Sequence, residues 1–317
     1  MGDGGWGKTD KSQSPTPNPQ PLLITPAILR RWPLPQPDEG GDKEERGRVL
    51  VVGGAVEMPG AVILAANAAL RAGAGKIQIG TCRSIVQTVA AAVPEARVFG
   101  LPETKVGAVA VSAAAEIAQR AKEAQAVLIG PGMIDERAVA QLVRKLLPKI
   151  ERAVLILDAA ALGCFEKTPK CLHTLKCKAV LTPNAAEMAK MSGGSRSAVE
   201  NDAHAEALQT AKELRAVVAL KGAETFIASP DSRQTYCNRA GNIGLAISGS
   251  GDTLSGIISG LAARGATPLQ AAVWGVYLHG RAGDVLAKRV GRLGYLAREL
   301  PAEVPALMAE LAKSKKR

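Results

Sequence analysis

From Arg48 onward, short β-branched runs alternate with longer stretches rich in alanine and leucine, and this rhythm limits the fold more than any other feature. Val49-Leu50-Val51-Val52, Ile77-Gln78-Ile79, Val127-Leu128-Ile129, Val154-Leu155-Ile156-Leu157, Ala179-Val180-Leu181 and Val217-Val218-Ala219-Leu220 read as strands. Segments such as Pro59 to Arg71 and Glu136 to Leu147 read as the helices between them. Strands that are apolar almost throughout have no face to give to water, so their sheet is buried on both sides and largely parallel. The expected fold class is α/β, a three-layer α/β/α arrangement around a largely parallel central sheet. Ligands then belong beyond the carboxyl ends of the strands, and the segments of chemical interest fall there.

A chain of 317 residues, 47% hydrophobic and 22% charged, can bury the large core that such a sheet needs. The expected organisation is a proline-rich arm over residues 1–42, one domain over 43–312 and a basic tail over 313–317. In the arm, Pro15, Pro17, Pro19, Pro21, Pro26, Pro33, Pro35 and Pro37 favour extended backbone, and the first dozen residues read as disordered. Leu22 to Trp32 is apolar enough to dock on the domain or on a neighbouring subunit, with Thr25 capping a short turn that Pro26 opens.

No run of eighteen uncharged apolar residues occurs, and the N-terminus lacks the apolar core of a signal peptide, so no membrane is expected and the expected location is cytoplasmic. The net charge of +11 does not point to nucleic acid: part of it sits in the tail, the rest is scattered among acids, and aromatic residues make up only 3%. Cys82, Cys164, Cys171, Cys177 and Cys237 are odd in number and lack CxxC or zinc spacing, so reduced thiols are expected and neither a disulfide framework nor a protein-ligated metal.

The run from Gly241 to Gly256, GNIGLAISGSGDTLSG, places a glycine-rich turn and one acid before an apolar helix read over roughly Thr253 to Ala263. Gly249 and Gly251 let successive amides converge, and the helix points its positive end at the same spot, which suits a phosphate. Asp252 would stand beside that phosphate. A carboxylate adds nothing to anion affinity, so its useful role is to take a proton from an attacking hydroxyl. Taken alone, Asp252 reads equally as a helix cap after a glycine turn.

Other strand ends carry similar pairs of readings. Gly53-Gly54 precedes Met58-Pro59-Gly60-Ala61, but GxGxxG is absent, which speaks against a Rossmann cofactor site. Gly130-Pro131-Gly132 is either a tight βα connection or a turn that lets a ligand touch backbone. Asp158 reads as a helix cap or as an outer-shell partner of magnesium, the cap being preferred. Thr182-Pro183-Asn184-Ala185-Ala186-Glu187 is either a capping arrangement or one wall of a crevice. Lys221-Gly222-Ala223-Glu224-Thr225 turns into another strand and offers a cation and a hydroxyl to nucleotide phosphates, or is a plain hairpin.

In order, GRVLVVGG, MPGA, ALRAGAGK, PEARV, GPGM, LILDAAAL, LTPNAAEMAKM, LKGAET, GNIGLAISGSGDTLSGIISGLAARG and AAVWGVYLHGRAGD make a combination far more specific than any one of them. From about Lys43 to Lys288 the chain resembles the ADP- or ATP-dependent (S)-NAD(P)H-hydrate dehydratases of the ribokinase-like superfamily, in their stand-alone bacterial form. The resemblance implies a lyase of coenzyme repair that dehydrates the S form of hydrated NADH or NADPH. Its co-substrate is ADP, giving AMP and phosphate, or ATP, giving ADP and phosphate. It implies Asp252 as the catalytic base, and Gly249, Ser250 and Gly251 as holders of the transferring phosphoryl group. It further implies Lys221, Gly222, Ala223, Glu224 and Thr225 as nucleotide-binding, and Ala61, Gly132 and Asn184, with Asp252, as the hydrate's surroundings. Magnesium (Mg2+) is implied as a companion of the phosphates, and a homotetramer as the assembly.

Two departures from the family pattern stand out. Asn184-Ala185-Ala186-Glu187 replaces a usual His-x-Gly-Glu, and Ile247-Ser248 replaces Thr-Gly ahead of an intact Gly-Ser-Gly-Asp. The segment of about 42 residues before the domain is too short for an epimerase domain, so the NAD(P)H-hydrate epimerase is expected to be a separate protein. Two other readings are a small-molecule kinase of the same superfamily, resembling hydroxymethylpyrimidine or thiazole kinases, and a catalytically silent nucleotide-binding module. The MPGA, LTPNAAE and KGAET segments argue against the first, and the intact Asp252 against the second.

Overall fold

The apolar runs pair into one sheet in a computed structural model that describes residues 20–38, 40, 42–166 and 175–312. Ten strands are found among those residues: β1 (Leu22–Leu23), β2 (Arg48–Val52), β3 (Lys76–Cys82), β4 (Ala96–Leu101), β5 (Ala126–Ile129), β6 (Val154–Leu157), β7 (Ala179–Leu181), β8 (Val217–Leu220), β9 (Thr225–Ala228) and β10 (Tyr236–Asn238). Across the sheet they lie in the order β1-β10-β9-β8-β7-β6-β5-β2-β3-β4. All neighbours are parallel except β9, which runs antiparallel to both β8 and β10. Val49, Val51, Val127, Leu128, Leu155 and Ile156 are wholly buried, as apolar strands between two helix layers must be.

The principal helices are α1 (Pro26–Arg31), α2 (Pro59–Arg71), α3 (Val86–Ala92), α4 (Ala114–Ala121), α5 (Glu136–Leu146), α6 (Ala185–Ser192), α7 (Arg196–Asn201), α8 (Ala203–Leu214), α9 (Ser250–Ala263), α10 (Pro268–Arg289) and α11 (Leu300–Ala312). The α2 bounds match the sequence reading, and α5 continues past Leu146 as a 3-10 turn. Small residues on α2 and α9 let the two helices touch backbone to side chain. A Cβ on Gly256 would lie 2.2 Å from the Ala65 carbonyl oxygen, and one on Gly260 would lie 2.4 Å from that of Ala69. This close crossing holds the first turn of α9 at the carboxyl ends of the strands.

The arm is built into the domain. Leu22 and Leu23 add β1 to the edge of β10, and Thr25 caps α1 with Pro26 in its first turn. Ile24, Leu29 and Leu34 are buried, and the Trp32 ring stacks on Tyr236 at 6.1 Å between centroids. Trp274 Nε1 donates to the Trp32 carbonyl at 2.9 Å, Gln270 Nε2 to the Pro33 carbonyl at 2.9 Å, and Arg264 to the Pro35 carbonyl at 2.9 Å. The disorder expected of the first dozen residues, the thiol of Cys171 and the basic tail lie outside the described residues.

Several sequence readings need correction. The helix of the glycine-rich run starts at Ser250, three residues before the expected Thr253, because Gly249 at φ +87° turns the chain and leaves Ser250, Gly251 and Asp252 helical. Strands β4 and β10 were not foreseen; β4 alternates buried and partly exposed residues at a sheet edge, and β10 has only three residues. Asp158 is not a side-chain cap, since its carboxylate turns instead to β7 and β8. Among the described residues no helix is long and apolar enough to cross a membrane, and no disulfide is found.

Candidate active site

The parallel strands β2, β5, β6, β7 and β8 bring most of the singled-out residues to one end of the sheet, beyond their carboxyl ends. At the β2–β5 end, Gly132 adopts φ +64°, and a Cβ there would lie 2.7 Å from both the Ala61 Cβ and the Met58 carbonyl oxygen. Ala61 and Gly132 therefore form one continuous small-residue wall. Gly130, at φ +132°, presses against the Asp158 backbone, where a Cβ would come within 1.8 Å of the carbonyl oxygen. The glycines of Gly130-Pro131-Gly132 thus seat the β5 turn between the β2 loop and Asp158.

Asp158 is 1% exposed and accepts from the Thr182 hydroxyl at 2.8 Å and from Lys221 Nζ at 2.9 Å. Lys221 also pairs with Glu187 at 3.8 Å, and its ammonium lies 3.4 Å from where a Cβ on Gly251 would stand. Burial works against the Lys221 charge, but Asp158 and Glu187, with a contribution from Asp252, outweigh it and raise its pKa. The cation therefore sits charged beneath the start of α9, at the positive end of a fourteen-residue helix.

In that first turn Asp252 is pushed up to about 6 from an ordinary 3.8, by burial first and then by Asp158, with Glu187 adding to the rise and Lys221 opposing it. A carboxylate with this proton affinity is matched to accepting a proton near neutral pH. The amides of Gly251 and Asp252 lie in the turn where a helix has no preceding carbonyl to bond. Ser250 plays a different part: its amide donates to the Ile247 carbonyl at 3.2 Å, and its hydroxyl pairs with His279 Nε2 at 3.0 Å. Burial lowers the His279 pKa to about 4, so this partner is neutral at physiological pH.

Asn184 adopts the capping arrangement. Its Oδ1 accepts from the amides of Ala186 and Glu187, both at 2.9 Å, while Glu187 accepts from the Asn184 amide at 2.7 Å. The remaining Asn184 amide group has no role in the cap, and the residue borders a cavity of about 840 Å3. Asn184→Ala is expected to cost about 1 kcal/mol through the lost cap, read as a lower midpoint in thermal melts; Asn184→Asp keeps the acceptor and should restore most of it.

The 840 Å3 cavity runs between the β8–β9 turn, the 240–247 segment, α9 and α10. Lys221, Gly222, Ala223, Thr225, Ser250 and Gly251 line it, together with His279. Glu224 faces elsewhere: it forms an ion pair with Arg239 at 2.5 Å and borders a neighbouring cavity of about 660 Å3. Gly249 is packed against Leu64 and turns the chain into α9 with its positive φ. The sequence reading missed the Asp158–Lys221–Glu187 network and the His279 support of Ser250. An acid directly after β6, a lysine directly after β8 and a glutamate in the first turn of the helix that follows β7 were the available signal for the network.

A largely parallel sheet with one antiparallel internal strand, and a glycine turn that leads into a helix start carrying one acid, define the ribokinase-like class of nucleotide-dependent enzymes. A ribokinase-like superfamily protein from Enterococcus faecalis superposes with a TM-score of 0.78 at 26% identity, covering 92% of this chain and 96% of the other. The chain belongs to the NAD(P)H-hydrate dehydratase family, whose model matches residues 49–306. It is 47% identical over 295 residues to an ADP-dependent (S)-NAD(P)H-hydrate dehydratase of Xanthomonas campestris pv. campestris, covering 92% of this chain and 98% of that one. The ADP/ATP-dependent NAD(P)H-hydrate dehydratase of Bacillus subtilis, co-crystallized with ATP/Mg2+, superposes with a TM-score of 0.78 at 30% identity, covering 92% and 99%.

Proposed function

We propose that the chain dehydrates (6S)-NAD(P)H hydrate to the coenzyme at the expense of ADP or ATP. The observation that carries this reading is the position of Asp252: a carboxyl of raised proton affinity, beside free helix-start amides and the Lys221 ammonium. Asp252 takes the proton of the ring hydroxyl as that oxygen bonds to the terminal phosphorus and the bond to the departing nucleotide breaks. With ADP the departing group is AMP. The phosphorylated carbon then loses phosphate as the ring nitrogen supplies its electron pair, and the neighbouring ring carbon gives up a proton to solvent, which restores the ring double bond. The amides of Gly251 and Asp252, with Lys221, bear the charge that gathers on the phosphoryl oxygens. Ala61 and Gly132 give the puckered ring room to approach, and the unused amide of Asn184 hydrogen-bonds the hydrate.

The donor set fits a magnesium ion that arrives with the nucleotide. Asp158 and Glu187 are already matched to Lys221, and among the described residues no group of three or more metal-ligating side chains is found. Such an ion would be carried in by the nucleotide, with Asp158 and Glu187 as the nearby carboxylates, and it would supply positive charge that eases the approach of the incoming hydroxyl. Lys221, Gly222, Ala223 and Thr225 hold the nucleotide along the β8–β9 turn. A homotetramer, a cytoplasmic location, a separate epimerase and the division at residues 42 and 312 complete the proposal. The family match and the intact Asp252 disfavour a small-molecule kinase and a silent module.

The test is phosphate release from ADP with and without hydrated NADH, followed together with the return of NADH absorbance. Because Asp252 must be ionised to act, kcat/KM for the hydrate should fall on the acid side with a midpoint near the Asp252 value of about 6. A pH profile flat from 5 to 8 contradicts the base assignment.

A further inference from the structure

Beyond the amino ends of β7 and β8, at the end of the sheet opposite Asp252, lies a cavity of about 580 Å3. Lys178 reaches it from the residue before β7, Lys212 and Arg215 reach it from the last turn and C-cap of α8, and Asp231 is the one carboxylate in its lining. None of the three cations has an ion pair among the described residues, so the opening carries an excess of positive charge. Arg215 sits at φ +54°, in the left-handed region where glycine is the usual residue at a helix end. Charge alone would make this a solvated face, but a buried hydroxyl shares the cavity. Ser229, directly after β9, is 6% exposed, and its Oγ bonds to no protein group among the described residues. That hydroxyl is not sealed off as Thr81 Oγ1 is, and the surface left to Ser229 belongs to this cavity. Buried hydroxyls are nearly always paired, so the partner within its reach is a ligand.

We infer that this cavity binds the phosphate group of a small phosphorylated molecule, at a site separate from the catalytic cleft. Lys178, Lys212 and Arg215 supply the opposing charge, and Arg215 and Ser229 donate hydrogen bonds that an anionic oxygen accepts. The first turn of α10, a helix of 22 residues, borders the same space, and its Leu269 amide has no preceding helical carbonyl to bond. The charge excess turns away a metal cation. A phosphate alone would leave most of the space unfilled, and Pro230 and Pro268 give the remainder of the molecule an apolar wall.

The inference does not use the dehydratase reading, and it is tested by binding alone, without hydrate and without turnover. Calorimetric titration of inorganic pyrophosphate into the full chain, with the nucleotide cavity already filled by ADP, should show one further binding event that weakens as salt rises. Arg215→Gly and Lys212→Gln should each weaken it by about tenfold or more, the usual worth of a lost charged partner. Ser229→Ala should weaken it by about threefold. Arg215→Gly suits the left-handed backbone, so its melting temperature should match or exceed the parent's, and a loss of binding there cannot come from unfolding. ADP affinity should stay parental in all three variants.

A second arm separates free phosphate from a phosphate carried by a larger molecule. Ribose 5-phosphate, titrated in the same way, should bind at least as tightly as inorganic phosphate; rejection of the ester with phosphate still bound overturns the assignment to a phosphorylated molecule. No pyrophosphate bound beside ADP, or parental pyrophosphate affinity in both Arg215→Gly and Lys212→Gln, overturns the site itself. So does a short poly-glutamate peptide that binds more tightly than pyrophosphate and loses that affinity in the same variants, since the face would then be a docking surface for acidic protein. Loss of hydrate-dependent turnover in the unaltered protein, with pyrophosphate binding intact, would strike the dehydratase reading and leave this site standing.

Discussion

Asp252→Asn is expected to lower turnover by about a hundredfold or more and, at the same time, to raise the stability of the fold at neutral pH. The first effect is the usual size of a lost general base. The second follows from linkage. Asp252 holds its proton up to about 6 in the folded chain against an ordinary 3.8, so the fold binds that proton more tightly than the unfolded chain does. The stability tied to it is complete below the ordinary value and is lost as pH rises through about 6, leaving an ionised carboxylate that costs on the order of 2 kcal/mol. Asparagine keeps the shape without the charge. Melts at pH 7.5 should therefore show the variant above the parent, with the gap closing toward pH 4, while ADP affinity persists. A variant that is slow and less stable at every pH would mark Asp252 as structural.

Removing the arm through Pro37 is expected to cost more stability than any single substitution. That truncation deletes the buried side chains of Ile24, Leu29 and Leu34, strips β1 from the sheet edge and orphans Trp274 Nε1. Each fully buried aliphatic side chain contributes about 1.5–3 kcal/mol, offset in part by the order the arm no longer has to adopt. A fall in melting temperature on the order of 10 °C is expected for a domain of this size. Truncation of residues 1–19 leaves every one of these contacts in place and should leave the melt unchanged. Equal melts for the two truncations would mean that the packing of Leu29 and Trp32 contributes nothing.

The central strands were legible because a sheet buried on both faces must be apolar throughout, and Val49 to Val52 or Val154 to Leu157 have no other reading. Edge strands give no such signal. Ala96–Leu101 carries Arg97 and Gly100, and Leu22–Leu23 lies among prolines; both are strands only because a neighbour offers its backbone. The phosphate cradle was legible because glycine and a helix start are local devices. The environment of Asp252 was not, because it comes from Asp158, Glu187 and Lys221, which lie up to 94 residues away in sequence and meet only through the parallel order of β6, β7 and β8. Asn184 shows the converse case: the local capping signal was real, and the structure uses it.

The measurement that bears most directly on the whole account is a coupled assay of the full chain with Mg2+, ADP and hydrated NADH, following AMP, phosphate and NADH absorbance together. The account predicts that all three rise in equal amounts, that none rises without the hydrate, and that only the S form is consumed. Phosphate release at the same rate with or without hydrate, or a stable phosphorylated product with no return of NADH absorbance, would contradict it.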